Sequence, residues 1–151
     1  MDRRFALMIE PAADVRPDYS PTFTVVDASA PALSVGELST QRGDGVFESI
    51  GVVDGHAQEV APHLQRLAHS AQLCELPEPD LAQWRQAIGI AAAQCGPGES
   101  VIKLILSRGV DHGPAPTAWA TAAPAADFSA ARTEGILVVT LDRGYDSGAA
   151  E

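Results

Sequence analysis

The chain has 151 residues, of which 46% are hydrophobic and 20% are charged. A composition and length of this kind fit a folded domain with a buried core and exclude disorder throughout. Twenty acidic residues against ten basic ones give a formal net charge of −10 at pH 7. Because such a surface repels phosphate backbones and anionic lipid headgroups, we expect neither a nucleic-acid partner nor a membrane partner.

The cysteines and histidines give no sign of a disulfide framework or a metal site. Cys74 and Cys95 are too far apart for a CxxC pair, so we expect two buried thiols in a reducing, cytoplasmic compartment. The four histidines lack metal-ligand spacing, and we therefore predict no metal site. The apolar part of the N-terminus, residues 5–9, is too short for a secretory signal, and no apolar run approaches the roughly 20 residues that span a bilayer.

The first half of the chain predicts short strands and a hairpin. Prolines restrict the first third to short extended pieces, of which residues 22–27 are the best strand candidate. Residues 46–53 are rich in β-formers and are followed by Asp54-Gly55, which favours a tight turn because glycine adopts positive φ without strain. The sequence therefore predicts a hairpin whose second strand covers residues 56–60.

Two helices and a further strand are predicted next. Apolar residues recur at helical spacing after Pro62, which suits the first turn of a helix. They recur again over residues 80–95, where Gly96 supplies a natural C-terminal stop. The β-branched run that follows predicts a strand over residues 99–108. Helices grouped after a hairpin favour an α+β fold over alternating β–α units.

The last part of the chain predicts a change of domain. More than 20 residues rich in proline and alanine follow the strand, and a structureless stretch of that length is uncommon inside a compact domain. We therefore interpret residues 1–110 as an N-terminal α+β domain and residues 111–133 as an interdomain linker. Residues 134–151 are interpreted as the start of a truncated C-terminal domain, with a strand predicted over residues 135–141.

Three features are candidates for chemistry, each with a plainer alternative. The glycines of Gly43–Glu48 either allow sharp backbone turns or let the backbone approach a ligand. Arg66 on an amphipathic helix either lies on a solvated face or grips an anion through two N–H donors. Lys103, the sole lysine, either reaches water from a strand or lies beside a ligand. The residues alone leave these alternatives open.

In combination, these features resemble the class IV aminotransferases, which are pyridoxal 5'-phosphate enzymes of fold type IV. The family includes branched-chain aminotransferases, D-amino-acid aminotransferases and aminodeoxychorismate lyases, and the resemblance runs in register from about residue 33 to residue 143. The end of the fourth motif, residues 105–109, is most similar to the lyase branch. The four motifs that carry the resemblance are Gly43–Glu48, Asp54-Gly55, His63–Leu67 and Lys103–Gly109.

The resemblance implies a fold and a set of site residues. The fold is the small N-terminal domain of the family, an antiparallel sheet with two helices, followed by the first strand of the second domain. Arg66 is expected to hold the cofactor phosphate, and Phe47 and Arg108 are expected to lie on the substrate side. The chain departs from the family at Arg42, where an aromatic residue is usual, and at Gly51, where many members carry arginine.

The resemblance also implies that the chain lacks the catalytic lysine. In the family the Schiff-base lysine follows a strand similar to residues 135–141, and this chain has no lysine there. The missing C-terminal domain is therefore expected to lie beyond residue 151, so that this fragment alone is inactive and the complete enzyme, acting on a small-molecule substrate, is a homodimer.

The leading functional hypothesis is a lyase of folate synthesis that converts 4-amino-4-deoxychorismate to 4-aminobenzoate and pyruvate. The first alternative is a branched-chain or D-amino-acid aminotransferase on the same fold. The second alternative is a non-catalytic binding or dimerisation domain, which the absent lysine favours.

Overall fold

A six-stranded antiparallel sheet with two helices packed on one face forms the framework. The computed structural model describes residues 4–12, 14–142 and 144. The strands lie in the order β2-β1-β6-β5-β3-β4. They are β1 (Phe5–Ile9), β2 (Phe23–Val26), β3 (Gly45–Val53), β4 (His56–Ala57), β5 (Glu99–Ser107) and β6 (Thr117–Pro124). The helices are α1 (Leu38–Arg42), α2 (Val60–Leu73), α3 (Leu81–Ala93) and α4 (Ser129–Glu134).

The predicted hairpin is present, with a shorter second strand than expected. Asp54 and Gly55 both have positive φ, 49° and 77°, as a tight hairpin turn requires. β4 pairs with β3 through two residues, because the chain turns into α2 at Val60 instead of continuing the strand. The predictions of β2, α2, α3 and β5 are confirmed to within a few residues at their ends.

Alternation along β3 separates the two faces of the sheet. Val46, Ile50 and Val52 are buried against the helices, whereas Phe47 and Val53 are exposed on the other side. We call the side without α2 and α3 the open face. The core lies between the sheet and α2 and α3, and it includes Leu7, Ile50, Leu64, Leu67, Trp84, Ile88, Ile102 and Leu104.

Two secondary-structure predictions for the last part of the chain are wrong. Residues 117–124, expected within a linker, form β6 between β1 and β5. The strand was missed because its alanines have low β-propensity; they are buried because their small side chains fit beneath α3. The strand predicted over residues 135–141 is absent, because no described strand pairs with it, and its apolar side chains are exposed.

The structure also corrects the view of the cysteines and tests two further features. Cys74 is exposed where α2 ends, and Cys95 is half-buried, so the expectation of two buried thiols is wrong. Within the described ranges, no cluster of three histidine, cysteine or acidic side chains could hold a metal ion. No helix among those residues has the length and apolar character needed to cross a membrane.

Glu37 joins three elements through one buried carboxylate. It is 1% exposed and caps the N-terminus of α1. Its Oε1 accepts a short hydrogen bond from the Ser107 hydroxyl of β5, and its Oε2 accepts one of 2.7 Å from Thr117 of β6. Burial by itself raises the pKa of Glu37, but the hydrogen bonds outweigh it and the pKa lies below its ordinary value. The carboxylate is therefore ionised and fully bonded at neutral pH.

We predict that Glu37→Ala destabilises the protein by about 3 kcal/mol, because the buried hydroxyls of Ser107 and Thr117 lose their acceptor. Urea unfolding measures the free energy. Glu134→Ala on the exposed surface of α4 is the matched control and should change stability by less than about 0.5 kcal/mol. Equal effects of the two substitutions would contradict the role assigned to Glu37.

Candidate functional site

Arg66 is held by a buried carboxylate on the neighbouring strand. Glu48 of β3 accepts hydrogen bonds from Arg66 Nε at 2.7 Å and from Nη2 at 2.6 Å. The Glu48 side chain is 5% exposed and that of Arg66 is 63% exposed. The guanidinium thus has one edge fixed to the protein, and its Nη2 also lies 3.2 Å from His63 Nδ1. Its Nη1 makes no hydrogen bond to any described residue.

His63 holds the same carboxylate. It lies one turn before Arg66 on α2, and three residues of helix bring both side chains to one face. The His63 Nδ1 atom lies 2.8 Å from Glu48 Oε2; since an ionised carboxylate only accepts, Nδ1–H is the donor. Two donors from α2 therefore converge on one acid of β3.

The electrostatics of this cluster favour the ionised pair. Burial alone would raise the pKa of Glu48, but hydrogen bonds from Arg66 and His63 outweigh it, so the pKa lies below its ordinary value. The same hydrogen bond to Glu48 raises the pKa of Arg66. A charged, fixed guanidinium that is open to solvent on one edge can bind an anion such as a phosphate.

Glu48, which binds Arg66 and His63, lies on β3, and the neighbouring strand β4 pairs with only part of β3. β4 pairs only with Val52 and Val53 of β3. In the part of the chain that the structure describes, no strand pairs with residues 45–50 along this edge. A ligand at the open edge of β3 can therefore reach Arg66 from the helix side and Phe47 from the open face.

Phe47 lies on a groove of the open face. Its side chain is exposed, at 67%, and points away from Glu48 because successive residues of a strand face opposite sides. The groove has a volume of about 490 Å³ and is walled by Ile105 and Trp119, with Lys103 in its lining. No described acidic residue forms an ion pair with Lys103, so the groove combines aromatic and aliphatic walls with a cation that no described acid neutralises.

Arg108 is engaged in contacts within the chain. Its Nε lies 3.1 Å from both carboxylate oxygens of Asp44, and its Nη1 and Nη2 donate to the carbonyls of Glu75 and Cys74 at 3.2 and 2.8 Å. Arg108 therefore caps the C-terminal end of α2, where a cation is favourable. Hydrogen bonds from Arg108 and then Arg42 lower the pKa of Asp44. Arg108 is not among the residues that line the groove beside Phe47.

Glu48 and His63 lie within two of the four motifs, but the sequence alone assigns neither of them a role. One signal was available, because Glu48 occupies an inward position of an alternating apolar strand, where an acid requires a partner. The partner could not be identified, because it lies 15 to 18 residues away and is reached only when α2 packs on β3.

Comparison with known proteins identifies the family. A family model described as amino-transferase class IV matches residues 45–144, which is most of the chain. The chain therefore belongs to the class IV aminotransferase family, whose enzymes depend on pyridoxal 5'-phosphate.

Individual relatives agree with this assignment. The chain is 44% identical over 124 residues to a bifunctional aminodeoxychorismate lyase / D-amino acid transaminase from Mycobacterium tuberculosis, covering 80% of this chain and 43% of that protein. A fold IV transaminase from Curtobacterium pusillum has a TM-score of 0.76 at 41% identity, over 86% of this chain and 45% of that one.

A hypothetical aminotransferase from M. tuberculosis, solved in its PLP-bound form, has a TM-score of 0.79 at 37% identity, over 93% of this chain and 47% of that one. These likenesses confirm the prediction of the fold type IV framework. The chain spans less than half the length of these relatives.

The lowered pKa of Glu48 predicts a pH-dependent stability. The contribution is present above the unfolded pKa of about 4.3 and is lost as the pH falls through the lower folded-state pKa. We expect Glu48→Gln to lower the free energy of unfolding by about 2 kcal/mol at neutral pH and by progressively less in acid. Urea unfolding over this pH range measures the difference, and one that does not change with pH would contradict the prediction.

Proposed function

We propose that this chain is part of a pyridoxal-phosphate lyase that converts 4-amino-4-deoxychorismate to 4-aminobenzoate and pyruvate, a reaction of folate synthesis. The observation that carries the proposal is the guanidinium of Arg66, fixed by Glu48 at the open edge of β3. The 44% identity to a protein named for both lyase and transaminase activity supports this reaction and a transamination equally.

Arg66 is the proposed phosphate-binding residue. The residues present fit an anionic group, because Nη1 of the Arg66 guanidinium carries N–H donors that no described residue uses and the charge of the guanidinium is secured by Glu48. When bound, the cofactor supplies an electron sink for the reacting substrate. The role of Arg66 is to bind the phosphate and so to orient the cofactor at the edge of β3.

Phe47 and Arg108 are the proposed substrate-side residues: Phe47 would contact the substrate, and Arg108 would act through the residues that it holds in place. Phe47 and Trp119 offer apolar walls to a ring-bearing substrate in the open-face groove. Arg108 acts indirectly, because its donors are engaged by Asp44 and by the end of α2. It holds the turn that precedes Phe47 against the helix that carries Arg66.

We further propose that the lysine that carries the cofactor belongs to a second domain. Residues 134–151 are its proposed start, and of the expected linker only the segment after β6, residues 125–133, is its proposed approach. The greater length of the relatives supports this arrangement. On this proposal the fragment alone is inactive, and the complete enzyme is a cytoplasmic homodimer.

A transaminase is the second candidate function. The relative from M. tuberculosis is named a D-amino acid transaminase as well as a lyase, and the C. pusillum structure is that of a transaminase. Phosphate binding by Arg66 would serve either reaction, so the geometry around Arg66 favours neither, and the substrate has to be tested directly.

The reaction is tested with the complete reading frame that encodes this chain, loaded with pyridoxal phosphate. We expect 4-amino-4-deoxychorismate to yield equal amounts of 4-aminobenzoate and pyruvate when no keto-acid acceptor is added. Pyruvate is measured with lactate dehydrogenase and 4-aminobenzoate by its fluorescence. Turnover that requires a keto acid, with a D-amino acid or a branched-chain amino acid as donor, would establish the transaminase instead.

Two single substitutions in the same protein test the cofactor-binding role of Arg66 and the substrate-binding role of Phe47 independently. Arg66→Ala should weaken pyridoxal phosphate binding by about tenfold or more, because the charged donors to the phosphate are lost. Phe47→Ala should raise the substrate KM and leave cofactor affinity unchanged. Cofactor affinity is measured by absorbance titration, with exposed Arg85→Ala as the control. Equal cofactor affinity in the Arg66→Ala and Arg85→Ala variants would refute the phosphate-binding role.

A further inference from the structure

Glu48 is an ionised acid in an apolar position. It is 4% exposed and shares its face of β3 with Val46 and Ile50, which belong to the core. Taking a carboxylate out of water costs several kcal/mol unless partners compensate it, and a hydrophobic residue at this position would avoid that cost. The buried charge therefore calls for an explanation beyond packing.

The geometry of the pair indicates what the charge does. An exposed arginine has several rotatable bonds and samples many orientations when nothing holds it. The two hydrogen bonds to Nε and Nη2 fix both the position and the plane of the Arg66 guanidinium. Nη2 also lies 3.2 Å from His63 Nδ1, whereas Nη1 has no partner among the described residues, so a ligand oxygen can meet the Nη1 donors already in place.

His63 extends the arrangement by one contact. Its ring donates to Glu48 Oε2, which also accepts from Arg66 Nη2. The His63 side chain is 19% exposed and so shields the carboxylate from water. Glu48 is thereby fixed from α2 at two points one turn apart, and it cannot turn toward solvent without losing both.

We propose that Glu48 is a positioning residue for Arg66, with His63 holding Glu48 in place. Its carboxylate sets the guanidinium so that Nη1 is presented to the phosphate of the cofactor at the open edge of β3. The inference rests on the proposed phosphate-binding role of Arg66. It predicts that cofactor affinity depends on a residue that does not touch the cofactor.

The sign of the effect of Glu48→Gln distinguishes positioning from simple charge balance. If Glu48 only balanced charge, its removal would take a negative charge away from the neighbourhood of an anionic phosphate and would tighten binding. If Glu48 positions Arg66, the same substitution weakens binding because the guanidinium is no longer held. We expect pyridoxal phosphate affinity to fall by about tenfold in Glu48→Gln.

The experiment compares pyridoxal phosphate with pyridoxal, which lacks the phosphate, in the complete protein. A general folding defect lowers both affinities together, whereas loss of positioning lowers their ratio. Glu48→Asp, which keeps the charge but shortens the side chain, should lower the ratio as well and gives a second variant if Glu48→Gln folds poorly. An unchanged or increased ratio in the folded variants would overturn the proposal.

A double-mutant cycle distinguishes the positioning role of Glu48 from the phosphate-binding role of Arg66 on which it rests. In an Arg66→Ala background, Glu48→Gln should change the ratio of the two affinities no further, because its effect passes through Arg66. If Arg66→Ala itself leaves the ratio unchanged, the proposed phosphate-binding role fails. If Arg66→Ala lowers the ratio and Glu48→Gln does not, only the positioning role fails.

Discussion

The ion pair between Glu48 and Arg66 is the interaction on which the proposed site depends. Glu48 lies on β3 and Arg66 on α2, so the pair joins the sheet to the first helix that follows the hairpin. Leu64 and Leu67 of the same helix are buried in the core, and this apolar burial stabilises the packing of α2 on the sheet. The ion pair fixes the orientation of the guanidinium, because two parallel hydrogen bonds permit one orientation where apolar contacts would permit many.

The short β4 strand gives this pair its access to solvent. A full-length partner would pair with β3 along residues 45–50 and cover the edge with backbone hydrogen bonds. The turn at Asp54-Gly55 returns the chain for two paired residues, after which α2 begins at Val60 and leaves the edge open. Open edges are a liability in β proteins unless they are short, charged or covered. Here the open edge is short, and the charged group of Arg66 lies beside it.

The features that could be predicted from the sequence are those determined by neighbouring residues. The hairpin was predicted because the positive φ of Asp54-Gly55 is a property of those two residues. β6 was not predicted, because alanine such as Ala120 forms a strand only when its neighbours in the sheet demand it. In the same way, motif order selected Arg66 as an anion-binding candidate, but Glu48 could not be assigned to it before α2 was seen to pack on β3.

The position of Lys103 bears on where the cofactor is attached. Lys103 lies opposite Ser49 on the neighbouring strand, and both point to the open face. Glu48, adjacent to Ser49, points to the other face and holds Arg66 there. A cofactor bonded to Lys103 would lie on the opposite side of the sheet from the arginine that is proposed to bind its phosphate. Lys103 therefore does not suit the attachment of a cofactor whose phosphate is proposed to lie at Arg66, and its position instead makes it part of the lining of the open-face groove.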